Sequence, residues 1–394
     1  MREGWEYKKL GDVCTIERGG SPRPIADYIT ESADGINWIK IGDAVEGSKY
    51  ILFTKEKIRP EGIKKSRFVH KGDVILSNSM SFGKPYILGI DGCIHDGWLV
   101  LHDNNNTFSK DYLYYVLSSP IMYSKFTQLA VGGVVNNLNS NIVREVVVAI
   151  PPLSAQLSIV SELDKINELI RLKKEQLKDY DNLAQSIFYE MFGDPVVNEK
   201  GWNVKKLGDV CEVSSFKRVL VEDVLEKGPV PFIRGTELSA ICKENKREYK
   251  MYITMEHYER VKNISGVPNV GDLLIPSINA EGLVWVVDTP EPMYYKDGRV
   301  LWVHVDQNSI SPIALQRILN NLIKDNYSKI TNGAVFAELN LSILRSFPII
   351  LPPLSIQNAF ANKINLIEKQ KAEIQSTIAD LETLLASRMQ YWFD

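Results

Sequence analysis

The sequence predicts an α+β fold in which two mixed α/β globular domains are joined by two long helices, paired antiparallel as a coiled coil about a pseudo-twofold axis. Three observations predict it: a duplication running the length of the chain, a heptad-spaced apolar seam closing each copy, and short β-rich runs between turn residues. The expected boundaries are 1–150 and 196–350 for the domains, and 151–195 and 351–394 for the helical spacers.

The duplication comes first, because a missed repeat misassigns a whole fold. WEYKKLGDVC at residues 5–14 recurs as WNVKKLGDVC at 202–211, with eight of ten positions identical. A second match joins residues 132–156 to 333–357, both ending in PPLS-x-Q, and its register continues without a gap until Phe192 falls on Phe393. Between these ends only GDVILSNS with GDLLIPSI and HDGWLVLHD with KDGRVLWVHVD align, and loosely. Similar ends around unlike interiors suit two domains that keep one scaffold and recognise different things.

Each globular segment reads as strands, for example 38–41, 73–76, 97–101 and 144–150, set between Gly, Asn, Asp and Pro. Helical stretches are expected late in each copy, over 110–130 and 310–330.

From 157 to 192, Leu163, Ile166, Ile170, Leu177, Tyr180, Ala184, Ile187 and Met191 recur at spacings of three and four, with one polar interruption at Lys173. Ile364, Ile367, Ile374, Ile378, Leu381, Leu385 and Trp392 do so in the second copy, interrupted by Lys371 and Arg388. Pro-Pro stops the preceding strand, and Ser154 or Ser355 is placed to cap the helix. Roughly 36 residues make a rod of about 54 Å, which needs a partner. Each copy supplies one, with a globular domain expected near each end.

A chain of 394 residues with 44% hydrophobic and 24% charged residues is a folded protein of more than one domain. A net charge of -3 gives no bulk attraction to nucleic acid, so any such contact must be local. Cys14, Cys93, Cys211 and Cys242 lack CxxC spacing and read as buried apolar residues in a reducing compartment. Without an apolar leader or an apolar run long enough to span a bilayer, the chain is expected in the cytoplasm, with no membrane partner.

No GxGxxG follows a strand, no GxxxxGK[ST], HExxH or GxSxG occurs, and the five histidines lack metal-ligand spacing. Neither Pro-Pro pair carries the preceding Asn of an amino-methyltransferase site, and the ExK strings at 6–8 and 248–250 lack an upstream Pro-Asp. Catalytic and metal-binding residues are therefore expected to be none.

Three loops of the first copy are rich in groups that meet phosphates and base edges: RGGSPR at 18–23, SNSMSFGK at 77–84 and GGVVNNLN at 132–139. Asn pairs bidentately with adenine, Arg or Lys with guanine, and Gly permits close backbone approach. The candidate DNA contacts are Arg18, Ser21, Arg23, Lys40, Asn78, Ser79, Lys84, Asn136, Asn137 and Asn139 in the first copy. In the second they are Arg234, Thr236, Ser277, Asn279, Asn332 and Asn340, on the segments 234–237, 277–281 and 332–340. Lys55, Lys57, Arg59, Lys64, Lys65, Arg67 and Lys71 form the strongest local positive excess, and a diluted counterpart lies at 243–262. Such runs at equivalent repeat positions suit phosphate contact.

Taken together, the W-x2-KKLGDV openings at Trp5 and Trp202, the PPLS-x-Q motifs after Ile150 and Leu351, the long helices behind them and MFGD at 191–194 cover nearly the whole chain. In that combination the chain resembles the specificity subunit of type I restriction-modification systems. The resemblance implies two target recognition domains, each reading one half of a bipartite, asymmetric double-stranded DNA site, with the helices as a ruler between them. It implies two modification subunits docked on the helices and methylating adenine with S-adenosylmethionine, and restriction subunits adding translocation and cleavage with ATP and Mg2+. No cofactor is implied on this chain, which is a non-catalytic subunit in this reading. One departure is that the chain opens directly in the first recognition domain, so no extra N-terminal helical segment is expected.

Two rival classes remain. A tandem scaffold for two protein partners, without DNA contact, would use the same duplication and would show salt-insensitive binding. A self-sufficient nuclease or methyltransferase would be active as the isolated chain.

Overall fold

The structure, a computed structural model, describes the chain except residues 1, 46, 79–81, 131–137 and 331–337, with backbone alone at 130, 326 and 328–330. Two compact units result: Met1–Glu175 with Gln375–Asp394, and Gln176–Ile374. Each unit thus holds one globular domain, part of one long helix and the complementary part of the other.

In unit 1 the opening strand Glu6–Lys9 pairs antiparallel with Val147–Ile150. One five-stranded sheet runs in the order Cys14–Arg18, Trp98–Asp103, Val74–Ser77, Pro85–Leu88, Tyr50–Ile51. A second runs Ile29–Thr30, Glu56–Ile58, Ile36–Ile39, Gly92–Ile94, Arg67–Val69. The central strands are covered on both faces, so VILS, PYIL and WLVL are buried throughout instead of alternating.

Unit 2 repeats this frame in reduced form. Asn203–Lys206 pairs with Pro348–Leu351. Its four-stranded sheet orders Glu212–Ser215, Val300–His304, Leu273–Pro276, Trp285–Val286, and its three-stranded sheet Tyr252–Ile253, Val230–Ile233, Tyr294–Tyr295. The second sheet of unit 1 and the three-stranded sheet of unit 2 each contain one parallel pair: Trp38 and Ile39 beside Cys93 and Ile94, and Phe232 and Ile233 beside Tyr294 and Tyr295.

The repeat motifs are the joints of this frame. In each unit the KKLGDV glycine lies against an arginine near the end of the domain. A Cβ on Gly11 would sit 2.9 Å from Arg144 Cβ, and one on Gly208 would sit 3.0 Å from Arg345 Cβ. Each guanidinium then donates back to the first long strand, Arg144 to the Ile16 carbonyl at 2.8 Å and Arg345 to that of Val213. The Gln of PPLS-x-Q is buried. Gln156 accepts from Ser109 N at 2.7 Å and donates to the carbonyls of Thr107 (2.9 Å) and Pro151 (3.0 Å). Gln357 accepts from Ser311 N at 2.9 Å and donates to Pro352 O at 2.8 Å.

The long helices are Leu153–Phe192 and Leu354–Phe393, 40 residues each. The first begins ahead of the expected 157, because the second proline supplies the first carbonyl: Ala155 N and Gln156 N bond to Pro152 O at 2.9 and 3.0 Å. Ser154 therefore lies inside the first turn and is not the cap. Ser355 is likewise inside, with Ile356 N and Gln357 N bonded to Pro353 O at 2.9 and 3.1 Å. Within unit 1 the two helical parts run antiparallel, with Arg388 and Trp392 donating to Glu162 and Lys174 reaching Glu382 at 2.8 Å. Within unit 2 Lys371 meets Asp181 at 2.8 Å and Phe360 packs on Phe188 and Phe192 at 5.9 and 4.8 Å. Helix residues join the domain cores: the seam residue Leu163 and also Met389 in unit 1, and the seam residues Ala184, Ile364 and Ile367 in unit 2.

Other expected boundaries shift for local reasons. The helical stretch at 110–130 is two helices, Lys110–Ser118 and Pro120–Ala130, because Pro120 cannot continue the first. Residues 144–150 hold the end of a short helix, Ser140–Glu145, before the strand Val147–Ile150.

Candidate DNA interface

In unit 1 the candidate site is built where the parallel strands Ile36–Ile39 and Gly92–Ile94 end. Lys40 follows the first and His95 the second, with His95 N donating to Ile39 O at 3.0 Å. Gly19 crosses directly beneath: a Cβ there would lie 2.2 Å from His95 O, so only glycine fits. That crossing delivers the 21–25 loop onto the strand ends.

The hub of the site is Asp96. Its carboxylate accepts from Ser21 Oγ at 3.0 Å, meets Arg23 at 3.5 Å and lies 2.9 Å from His95 Nε2. Its carbonyl accepts from Arg18 Nε at 2.9 Å and Asn78 Nδ2 at 3.0 Å. Gly97 N donates to His95 Nδ1 at 2.9 Å, which leaves the ring proton on Nε2, facing Asp96. Lys40 Nζ pairs with Glu56 at 2.5 Å on the neighbouring strand. A cavity of about 740 Å³ lined by Ser21, Arg23, Trp38, Lys40, Glu56 and His95 opens here.

Four expected residues thus converge on Asp96, and Lys40 shares a cavity with two of them, Ser21 and Arg23. Arg23 is the most open, its side chain 81% exposed, whereas Asn78 is 1% exposed. Lys84 lines a separate cavity with Phe82, Tyr86, Tyr114 and Tyr123. Asn139 caps Ser140–Glu145, accepting from Ile142 N at 2.9 Å. Ser79, Asn136 and Asn137 lie outside the described residues.

Unit 2 carries the equivalent strand ends with different side chains. Arg234 takes the place of Lys40, and Lys296, whose N donates to Ile233 O at 2.9 Å, takes that of His95. Arg234 donates to Glu237 from Nε at 3.1 Å and from Nη2 at 2.5 Å, and Thr236 Oγ1 donates to the same carboxylate at 2.8 Å. Burial would raise Glu237, but Arg234 and Thr236 outweigh it and hold the carboxyl down at about 2. Ser277 and Asn279 are buried: Ser277 O accepts from Leu339 N at 2.8 Å, and Asn279 closes a turn with Leu283. Asn340 caps Leu341–Arg345 through Ile343 N at 2.9 Å. Asn332 lies outside the described residues.

Asp96, His95 and Lys296 were missed as site residues, whereas Glu237 falls within the expected segment 234–237. The signal available was the HDG and KDG pair of the repeat, in which an acidic residue follows a basic one at the same position of both copies.

The basic runs differ in kind. Lys55, Arg59 and Lys64 are exposed and have no carboxylate at ion-pair distance among the described residues. Lys243 and Arg247 in the second run are paired with Glu281 at 2.5 Å and Asp288 at 2.6 Å. No described cysteine is primed as a nucleophile: burial pushes the thiols of Cys14 and Cys242 up to about 12, and those of Cys93 and Cys211 up to about 11.

Each unit thus presents a different polar constellation at the same strand ends of a duplicated α/β frame. The chain belongs to the type I restriction modification DNA specificity domain family, whose model matches residues 2–179 and 199–382. It is accordingly a non-catalytic, specificity-type chain of such systems. It is 25% identical over 282 residues to the type I restriction enzyme MjaIX specificity subunit of Methanocaldococcus jannaschii, a match spanning 64% of each chain. A putative type I restriction enzyme specificity subunit of Haemophilus influenzae is 23% identical over 375 residues, 92% of this chain and 87% of the relative. The fold resembles that of a chain solved in work on complex assembly and conformational transition of the type I R-M system, with TM-score 0.66 at 20% identity, covering 99% and 97%.

Proposed function

We propose that this chain reads DNA for a type I restriction-modification enzyme, each globular domain contacting one half of a bipartite, asymmetric target. In this reading the long helices set the interval between the halves and dock two modification subunits, which supply S-adenosylmethionine-dependent adenine methylation. Restriction subunits, in a system that has them, use ATP and Mg2+ outside this chain.

The observation that carries the reading is the pair of equivalent strand ends with unequal side chains: Lys40 and His95 in one domain, Arg234 and Lys296 in the other. Lysine, arginine and histidine donors at sheet ends suit base edges and phosphates, and a change of residue type at a fixed position suits a change of base. The test is an exchange of residues 20–140 for those of a relative with another target, followed by mapping of methylated adenines in cells carrying the assembled enzyme. One half of the methylated site should change and the other should stay. An unaltered site, or binding of the complex that is insensitive to salt, would instead favour a protein scaffold.

A further inference from the structure

Among the described residues, Arg234 is held differently from every other base-reading candidate. Glu237 takes the side edge of its guanidinium, through Nε and Nη2, and is itself fixed by Thr236 and by its place in the first turn of Gly235–Glu244. The end edge, with Nη1 and the outer proton of Nη2, is directed away from the carboxylate by the planarity of the group. The Arg234 side chain is 34% exposed while that of Glu237 is 10% exposed, so the arginine reaches solvent while its buttress is mostly inside. An end-on pair of N–H donors in one plane matches guanine O6 and N7, and no other base offers two acceptors there. Lys296, exposed on the adjacent strand end, adds a charge suited to a phosphate beside it. Lys40, at the matching place in unit 1, is a point charge paired with Glu56 and lacks this forked geometry.

We infer that Arg234, buttressed by Glu237, is a guanine reader, and that the half-site contacted by the second domain contains a guanine specified by this one side chain. This rests on the DNA-reading function proposed above. Preorganisation by Glu237 is what makes the contact selective, since a guanidinium already ordered loses little freedom on meeting the base.

The experiment is sequencing of methylated adenines in cells carrying the complete enzyme with wild-type chain, Arg234→Lys, Arg234→Gln or Glu237→Gln. The wild type should give a bipartite site with an invariant guanine in one half. The Arg234 variants should relax that position, with a loss of roughly 5- to 150-fold in discrimination. Glu237→Gln should relax the same position to a smaller degree. The other half-site and the interval should remain, which also shows that each variant folds and assembles. A site unchanged in all three variants overturns the role of Arg234 and leaves the DNA-reading function standing. A wild-type enzyme that selects no bipartite sequence overturns both. Loss of all methylation in the Arg234 variants, with in vitro binding of the wild-type guanine still preferred over its substitutions, also overturns the inference.

Discussion

Gln156 and Gln357 illustrate how one polar side chain fixes a junction that two backbone segments share. Gln156 is 1% exposed and satisfies one N–H and two carbonyls, so truncation leaves all three without a partner. Gln156→Ala should lower the stability of unit 1 by about 2–3 kcal/mol in urea unfolding, and an effect near zero would show that these bonds carry no net stability. The pair His102 and Asp73, 3.6 Å apart, makes a pH-dependent contribution. Asp73 lifts the imidazole above its ordinary value against the effect of burial. Burial raises the Asp73 carboxyl, but His102 and the His70 N–H outweigh it and hold it below the usual range. A histidine that binds its proton more tightly when folded stabilises fully below its unfolded value, near ~6.5, and the gain is lost as pH rises through the raised folded value. The difference in unfolding free energy between wild type and His102→Gln should therefore be greatest in mildly acid buffer and shrink in alkaline buffer. A difference independent of pH would exclude this linkage.

The elements divide the work between apolar contacts that carry stability and charged contacts that set register. Phe360, 0% exposed, packs against Phe188 and Phe192 where the helical parts of unit 2 cross, whereas Lys174 and Glu382 pair in solvent in unit 1. Phe360→Ala should cost about 3–5 kcal/mol, because it removes the ring and leaves a cavity. Lys174→Ala should leave the unfolding midpoint unchanged within error, since an exposed pair is screened and flexible. Denaturant titrations of the two variants compare these directly, and equal effects would contradict the division. The heptad spacing made the helices legible, along with Leu163, Ile166 and Ile170 as their buried face. Their starts were less legible, because the proline carbonyl that receives the first helical bonds leaves no distinctive residue type behind.

Over the whole molecule a net charge of -3 means that attraction to DNA depends on where cations are left unpaired. Lys55, Arg59 and Lys64 are exposed in the unit 1 run without an ion-pair partner among the described residues, whereas Lys243 and Arg247 of the unit 2 run are paired with Glu281 and Asp288. Replacing Lys55 and Lys64 by Gln should weaken binding of the assembled enzyme to target and random duplex alike. The slope of log affinity against log salt should become shallower by about 0.9 for each phosphate that is no longer neutralised. The methylated sequence should not change. An unaltered salt slope would remove this surface from the interface.

What the sequence determined by itself is the periodic part: the duplication, the α+β class, the long paired helices and the apolar seam. Repetition and spacing are one-dimensional properties, and burial imposes them on residue type wherever a face recurs. The candidate site was legible only in its charged members and their neighbours. Arg18, Ser21, Arg23 and Lys40 announced themselves by type, but Asp96 did not, because this hub joins segments near residues 20, 78 and 95 that meet only when two sheets form. Tertiary structure also decided which way the polar groups face. It placed Asn78, Ser277 and Asn279 inside, gave Asn139 and Asn340 the task of capping helices, and set Glu237 against Nε and Nη2 of Arg234. A polar residue in a loop satisfies either the fold or a ligand, and only the surrounding backbone donors and acceptors determine which.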